Sequence, residues 1–398
     1  MTLSFGKILK SLCNWVSFYL SHCMPRNKNI WIHTGWRRTP ERETFGDNAK
    51  YFFLYIQQHK PNIRSIWIAQ DKKMRDLLRT HGYSSYTLDS FMGIYLSLRA
   101  GVTIVDSNLR IANWRLSGRS RYIQLWHGKS FKKMGKISPY GSTYNKFVSP
   151  NLFVTYAYIV AASHLLGKYL LQGFEHKKKH LLISSLPRYD VFFSDIPGSD
   201  IDEDTQLSQK IDQDKKAGYE SVAFYAPTYR PDGSNPLEHL DLTMLSDALS
   251  VSNTKCYISL HPKCYNKDWK KPDGYQHIEF IQTVLDIYPI FKKFSVIITD
   301  YSSMAIDALL CNVPSVIYAY DESTYRVSMG IHDELWDAFP AHKTHTMPKL
   351  CKILKEKDYA WNASFQQTKE KFFTFSSLHG YNEQASSRRI YEAIEKIL

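Results

Sequence analysis

The sequence predicts an α/β protein with two parallel, doubly wound sheets, carried by two domains that face each other across a cleft. Three observations lead there. A chain of 398 residues is too long for one typical core and suggests two. Two sets of short apolar, β-branched runs alternate with helical periods, the pattern of a parallel sheet wrapped by helices. The runs end in loops carrying His, Arg, Thr, Asp and Ser, and the carboxyl ends of strands are where an open α/β sheet binds its ligand.

Taken in order, the chain opens with Phe5, Ile8, Leu9, Leu12, Val16, Tyr19 and Leu20 at helical spacing, with Lys7 and Lys10 off the stripe and Arg26 and Lys28 beyond it. Residues 1–28 are therefore expected as an amphipathic helix that associates with a membrane or packs on its own domain. The uncharged run from Ser11 to Met24 is too short and polar to span a bilayer, and no cleavage site typical of a secretory signal follows it. Residues 29–195 form the first domain, with strands expected at Asn29–His33, Ser65–Ala69, Val102–Val105, Tyr122–Leu125 and Ile159–Ala162. Asp47-Asn48 is expected to cap one helix, and Lys72–His81 to form another. The acidic, polar stretch 196–217 reads as a linker or an exposed helix. Residues 218–375 form the second domain, with strands at Ser221–Tyr225, Cys256–Leu260, Ile278–Phe280, Val296–Thr299 and Ser315–Tyr318. Residues 376–398 form a C-terminal helix that can pack back on the first domain.

Composition bounds the class. Hydrophobic content of 43%, aromatic content of 14% and a mean hydropathy of −0.37 exclude a disordered chain and a multi-span membrane protein. Six cysteines without a CxxC pair or metal-ligand spacing read as reduced, cytosolic thiols. A net charge of +13 favours an anionic partner: nucleic acid, acidic lipid or a phosphorylated substrate. Lysines cluster at Lys129, Lys132, Lys133 and Lys136 and again at Lys177–Lys179. No zinc-finger, RNP or basic-zipper pattern accompanies them, so nucleic acid is not expected as a partner.

The chemistry gathers at strand ends. Val296–Thr299 delivers Asp300-Tyr301-Ser302-Ser303 and then a helical period from Met304, which places hydroxyls and unpaired N–H groups where a phosphate could sit, or marks an ordinary capped helix. Leu125-Trp126-His127-Gly128-Lys129 places an imidazole in a loop where glycine permits close backbone approach. Ala226-Pro227-Thr228-Tyr229-Arg230 and Leu260-His261-Pro262-Lys263 follow two strands of the second domain.

Trp126-His127-Gly128, Leu186-Pro187-Arg188-Tyr189-Asp190, Ala226-Pro227-Thr228-Tyr229-Arg230, His261-Pro262, Asp286-Ile287-Tyr288 and Thr299-Asp300-Tyr301-Ser302-Ser303 resemble, in order and approximate spacing, the CDP-glycerol glycerophosphotransferase family of teichoic acid and capsule polymer synthesis. Phe45–Tyr51 and Tyr318–Asp321 also look like family segments. The resemblance runs from about Trp31 to Arg389 and implies a GT-B-like fold of two Rossmann-like domains. It implies a peripheral protein at the cytoplasmic face of the membrane that moves glycerol phosphate or ribitol phosphate from a CDP-alditol to a hydroxyl of a lipid-linked or polymer acceptor, releasing CMP.

On that resemblance His127 is the expected base, and His261 donates to, or protonates, the leaving phosphate. Arg230 joins His261 in holding the pyrophosphate, with Thr228, Ser302 and Ser303 as further phosphate donors. Asp300 and Asp307 are expected to bind alditol or ribose hydroxyls, Asp300 alternatively orienting a partner and Asp307 alternatively acting as a dipole-stabilising helix acid. Lys129 and Lys132 steer the acceptor phosphate or are solvated. Tyr229 stands where a tryptophan is common, and Lys129-Ser130-Phe131 replaces the usual Thr-Pro-Leu, which leaves the acceptor open. No cofactor is required by this reading; no acidic pair has ligand spacing, so a divalent metal is possible but not indicated. A GT-B glycosyltransferase using a nucleotide sugar and a non-catalytic membrane- or carbohydrate-binding module are the alternatives. Glycerol against ribitol, primase against polymerase, acceptor identity and oligomeric state are left open by the sequence.

Overall fold

The computed structural model describes residues 5–36, 43–128, 130–139, 154–230, 232–260, 264, 271–281, 286–373 and 385–398. Two compact units divide the chain. The first combines Met1–His127, Gly141–Asp202 and Phe375–Leu398; the second combines Gly128–Tyr140 and Glu203–Thr374. The segment directly after His127 thus belongs to the second unit.

The first unit is built on seven parallel strands: β1 (Asn27–Thr34), β2 (Arg64–Ala69), β3 (Ser85–Thr87), β4 (Ala100–Val105), β5 (Arg121–Gln124), β6 (Tyr156–Ala161) and β7 (Leu181–Ile183), in the order β3-β2-β1-β4-β5-β6-β7. A parallel sheet is covered on both faces, so its strands read as apolar runs rather than alternating ones, and β4 is buried at every position. Ile30, Ile32, Ile66, Ile68 and Leu96 pack one face. Side chains of Asp71, Ser90 and Ser163 accept the N–H groups of Met74, Gly93 and Leu166 and so start the helices Lys72–Thr80, Phe91–Arg99 and His164–Phe174. Each such cap stabilises its helix by about 1 kcal/mol.

The N-terminal helix spans Phe5–Leu20. Trp15 and Phe18 pack on Trp114 at 5.0 and 5.8 Å between ring centroids, and Ser21 Oγ accepts the Gly118 N–H. The opposite stripe, Leu9, Leu12, Val16, Tyr19 and Leu20, is exposed. At the other end of the chain the helix Ala385–Glu395 sets Tyr391 against Trp31 at 5.7 Å, and the buried Asp190 carboxylate accepts the N–H groups of Ser386 and Ser387 at its first turn.

The second unit is a six-stranded parallel sheet of β8 (Ser221–Ala226), β9 (Thr254–Ser259), β10 (Ile278–Ile281), β11 (Val296–Thr299), β12 (Ser315–Tyr318) and β13 (His342–Thr344), ordered β10-β9-β8-β11-β12-β13. Ala223, Tyr225, Ile258, Ile298 and Val316 meet Leu245, Leu249, Leu350 and Leu354 in its core. Within 196–217, read from sequence as a linker or exposed helix, the chain forms the helix Thr205–Lys216, capped by Asp204 and held by buried Leu207 and Ile211. The spacing of those two residues is one helical turn, set among charges that are mostly exposed.

Both sheets reverse their winding once, between β1 and β4 and between β8 and β11. Such a switch point opens a crevice at the carboxyl ends of the strands. In the first unit the segments leaving those ends carry Trp36, Asp106 and His127. In the second they carry Thr228, Arg230, Asp300 and Asp321.

Candidate active site

His127 has three contacts within the first unit. Its ring stacks on Trp126, at 4.1 Å and 29°, and on Trp36, at 4.9 Å and 12°. Its Nδ1 is 3.1 Å from the backbone carbonyl of Asp106. A carbonyl only accepts, so Nδ1 carries the proton, and in the neutral ring Nε2 carries the lone pair. The backbone is shaped to present the ring: Trp126 sits at φ +52° and Gly128 at φ +87°. A left-handed tryptophan is strained and needs support. Gln124 Oε1 accepts the Trp126 N–H at 3.0 Å, and Asn48 Nδ2 donates to its carbonyl at 2.6 Å.

Asn48 connects this loop to two further segments that the sequence comparison singles out. Its Oδ1 accepts the Arg188 N–H at 3.1 Å, and Arg188 Nη1 donates to Asp47 Oδ1 at 2.9 Å, both side chains almost fully buried. Asp47 was expected as a helix cap. It is instead the first residue of the helix Asp47–His59, at φ +60°, and Gly46 holds the cap position without a side-chain bond. Its Oδ1 accepts the first-turn N–H of Asn48 at 2.8 Å as well as Arg188 Nη1, so the carboxylate serves the helix end and Arg188 together. Lys50, also buried, donates from Nζ to the carbonyls of Ser199 and Ile201. Burial raises the Asp190 pKa to about 6 against the hydrogen bonds from Ser387 and Ser386.

In the second unit a buried ion cluster joins three post-strand loops. Arg230 presents its fork to Asp321, with Nε to Oδ2 at 2.6 Å and Nη2 to Oδ1 at 2.9 Å. Its Nη1 reaches Asp300 Oδ2 at 2.8 Å and the Thr228 carbonyl at 2.5 Å. Asp300 also accepts the N–H groups of Thr228 and Tyr301 and the Thr228 hydroxyl. Burial would lower the Arg230 pKa, but the Asp300 charge and the Asp321 hydrogen bond outweigh it, and the guanidinium stays charged. Tyr301, Tyr320 and Tyr325 ring it at 5.0 to 5.3 Å from their centroids, within cation–π range. The buried hydroxyls of Tyr225, Tyr320 and Tyr325 have no hydrogen-bond partner among the described residues.

This geometry changes the expected roles. Arg230 is 3% exposed and Asp300 1%; four of the five guanidinium N–H groups are given to protein partners, which leaves one on Nη2. Asp300 brackets the loops after β8 and β11, in keeping with the alternative that it orients a partner. Asp307 is buried and accepts from the Tyr288 hydroxyl at 2.9 Å. Thr228 gives both its N–H and its hydroxyl to Asp300. Ser302 and Ser303 are partly exposed; Ser302 Oγ accepts the Met304 N–H at 3.2 Å, and Ser303 makes no side-chain cap bond to the seven-residue helix Met304–Leu310. Lys132 is partly exposed; burial lowers its pKa and the Asp300 charge opposes this. Lys129 and His261 lie outside the described residues. Asp321 and the tyrosine ring were not assigned roles from sequence, although Tyr318–Asp321 stood out as a segment. Among the described residues no cluster of His, Cys, Asp or Glu could hold a metal ion, and no helix is long and apolar enough to cross a membrane.

The family model of CDP-glycerol:poly(glycerophosphate) glycerophosphotransferases matches residues 18–396. The chain belongs to that family. The teichoic acid glycerol-phosphate transferase of Staphylococcus aureus is 23% identical over 366 residues, covering 88% of this chain and 90% of that protein. The teichoic acid poly(ribitol-phosphate) polymerase of Bacillus spizizenii is 25% identical over 244 residues, 60% of this chain and 38% of the polymerase. The chain thus spans well under half the length of that relative. Among solved structures, the wall teichoic acid polymerase TagF superposes with a TM-score of 0.71 at 18% identity, covering 99% of this chain and 97% of that one. With two parallel, doubly wound sheets, this likeness gives the GT-B-like, two-domain α/β class expected from the sequence.

Proposed function

We propose that this family member transfers glycerol phosphate or ribitol phosphate from a CDP-alditol to a hydroxyl of a polymer or lipid-linked acceptor, in teichoic acid or capsule polymer synthesis. The acceptor oxygen attacks the phosphorus that bears the alditol. The bond from that phosphorus to the bridging oxygen breaks, and CMP leaves with the electron pair. The hydroxyl proton passes to His127 Nε2. The observation that carries this reading is the Nδ1 contact to the Asp106 carbonyl, which fixes the tautomer a base needs.

The barrier to phosphoryl transfer is mostly positioning and charge on phosphoryl oxygens. In this reading the Arg230–Asp300–Asp321 cluster sets the loops that receive the donor, and Ser302, Ser303 and Lys132 supply donors to its phosphates. His261 assists the leaving CMP. The exposed stripe of the helix Phe5–Leu20, beside a net charge of +13, supports peripheral attachment to an anionic bilayer at the cytoplasmic face.

CMP release from CDP-glycerol and from CDP-ribitol, with membrane-lipid extract as acceptor and UDP-sugars as control donors, tests the proposal. Acceptor-dependent CMP release from one CDP-alditol supports it and names the alditol. Turnover of a UDP-sugar without CMP release from either CDP-alditol overturns it in favour of a glycosyltransferase.

A further inference from the structure

Phe131 lies four residues beyond His127 and is the anchor of the segment that follows it. Its side chain is fully buried, edge-on to Trp336 at 5.3 Å and to Phe339 at 5.1 Å. Around it the backbone pairs antiparallel with the stretch 330–332. Lys132 bridges Ile331, the Lys133 N–H donates to the Gly330 carbonyl at 2.9 Å, and the His332 N–H donates to the Phe131 carbonyl at 2.9 Å. Gly330 sits at φ +72°, a left-handed conformation that favours glycine at this turn. Trp336 in turn stacks on Tyr301 at 5.4 Å, next in sequence to Asp300 of the ion cluster. The anchor and the cluster are thus parts of one packed body, the second unit.

His127 is the last residue of the first unit before the chain crosses. The crossing starts at Gly128, in the left-handed region at φ +87°. Four residue steps can hold the Cα atoms of His127 and Phe131 no more than about 14 Å apart in any arrangement of the two units. The proposed base is therefore leashed to the body that carries the Arg230–Asp300–Asp321 cluster. The leash is only as short as its anchor is firm.

From this juxtaposition we infer that Phe131 is a positioning residue for the transfer step: it fixes the tether by which the second unit keeps His127 in range of the donor phosphorus. This rests on the reading of His127 as the base. Phe131 also stands at one of the positions where the sequence departs from the family pattern, and its place in the core gives that departure a physical role distinct from acceptor choice.

The test compares wild type, Phe131→Ala, Phe131→Leu, a one-glycine insertion between Gly128 and Lys129, and His127→Ala in CMP release from CDP-glycerol and CDP-ribitol. Phe131→Ala and the insertion are expected to lower kcat about a hundredfold, the cost of misplacing a reacting group by an ångström. In the insertion variant the donor KM should stay within about threefold of wild type, because both the anchor and the donor loops are untouched. Phe131→Leu, which refills most of the pocket, should recover most of kcat. Each kcat is referred to the folded fraction read from the melt amplitude, because a loss of folded protein would also lower the apparent kcat and would also be relieved by leucine. If Phe131→Ala does not fold, the insertion, which leaves the anchor intact, decides. Unchanged kcat in the insertion variant, or in a folded Phe131→Ala whose only change is a raised donor KM, overturns the inference while leaving His127 as the base. Full turnover by His127→Ala overturns the functional reading itself.

Discussion

Asn48 donates from Nδ2 to the carbonyl of Trp126 at 2.6 Å, one residue before the proposed base. The same side chain accepts the Arg188 N–H, so a single amide ties the loop after β5 to the segment at Pro187–Phe192 and to the helix Asp47–His59. Trp126 is held in left-handed backbone by this bond and by Gln124.

Asn48→Ala is expected to lower stability by about 1–3 kcal/mol, because it leaves a buried carbonyl and N–H without their partners. The larger effect should fall on kcat, since Trp126 both stacks on His127 and carries its backbone. Thermal melts and CMP-release kinetics check this; equal losses in kcat and in folded fraction would contradict a specific role in presenting the imidazole.

Arg230 and Asp321 should behave as a bracket. Arg230→Lys keeps the charge but loses the fork, and a lysine cannot serve Asp300, Asp321 and the Thr228 carbonyl together. A rise in the KM for the CDP-alditol is expected, with a stability loss of about 3 kcal/mol typical of a disrupted buried ion pair. Asp321→Asn should shift KM in the same direction but less. Unchanged donor affinity in both variants would remove the cluster from the donor site.

Glu43 gives the protein a pH-dependent stability. Burial raises its pKa from 4.5 to about 8, against hydrogen bonds from the Gln70 N–H and the Trp67 indole. Between those values the folded chain holds a proton that the unfolded chain has lost, so stability falls as pH rises through the window and levels off above it. Glu43→Gln should flatten the fall in Tm between about pH 5 and 8, its advantage over wild type growing with pH. Parallel Tm profiles would contradict the assignment.

The exposed stripe on the helix Phe5–Leu20 predicts membrane attachment that depends on apolar residues and on lipid charge. Leu9→Glu with Leu12→Glu should reduce co-sedimentation with anionic vesicles at least about tenfold, without changing Tm, because both side chains are about half exposed, at 51% and 48%. Equal binding by wild type and the double variant would show that the stripe does not contact lipid.

Much of this molecule was legible in its sequence, and the parts that were not share a cause. The buried central strands announce themselves as apolar runs, as in Val296–Thr299, while the three-residue strands Ser85–Thr87, Leu181–Ile183 and His342–Thr344 are too short to show any period. Over Thr205–Lys216 the sequence left linker and exposed helix open, because two buried residues among many charges give only one turn of apolar period. At the site, His127 could be picked out from its loop, but its tautomer comes from the Asp106 carbonyl, and a backbone group leaves no mark in the sequence. Arg230 and Asp300 look like ligands when read singly. That they are spent on each other and on Asp321 is a tertiary fact.

The central claim is that His127 takes the acceptor proton in CMP-releasing transfer. Single-turnover CMP release from the preferred CDP-alditol, with saturating acceptor, compares wild type with His127→Ala at equal donor occupancy. The account predicts a loss of about 10²- to 10⁴-fold in the chemical step, with donor binding retained. Release at the wild-type rate by folded His127→Ala would contradict it.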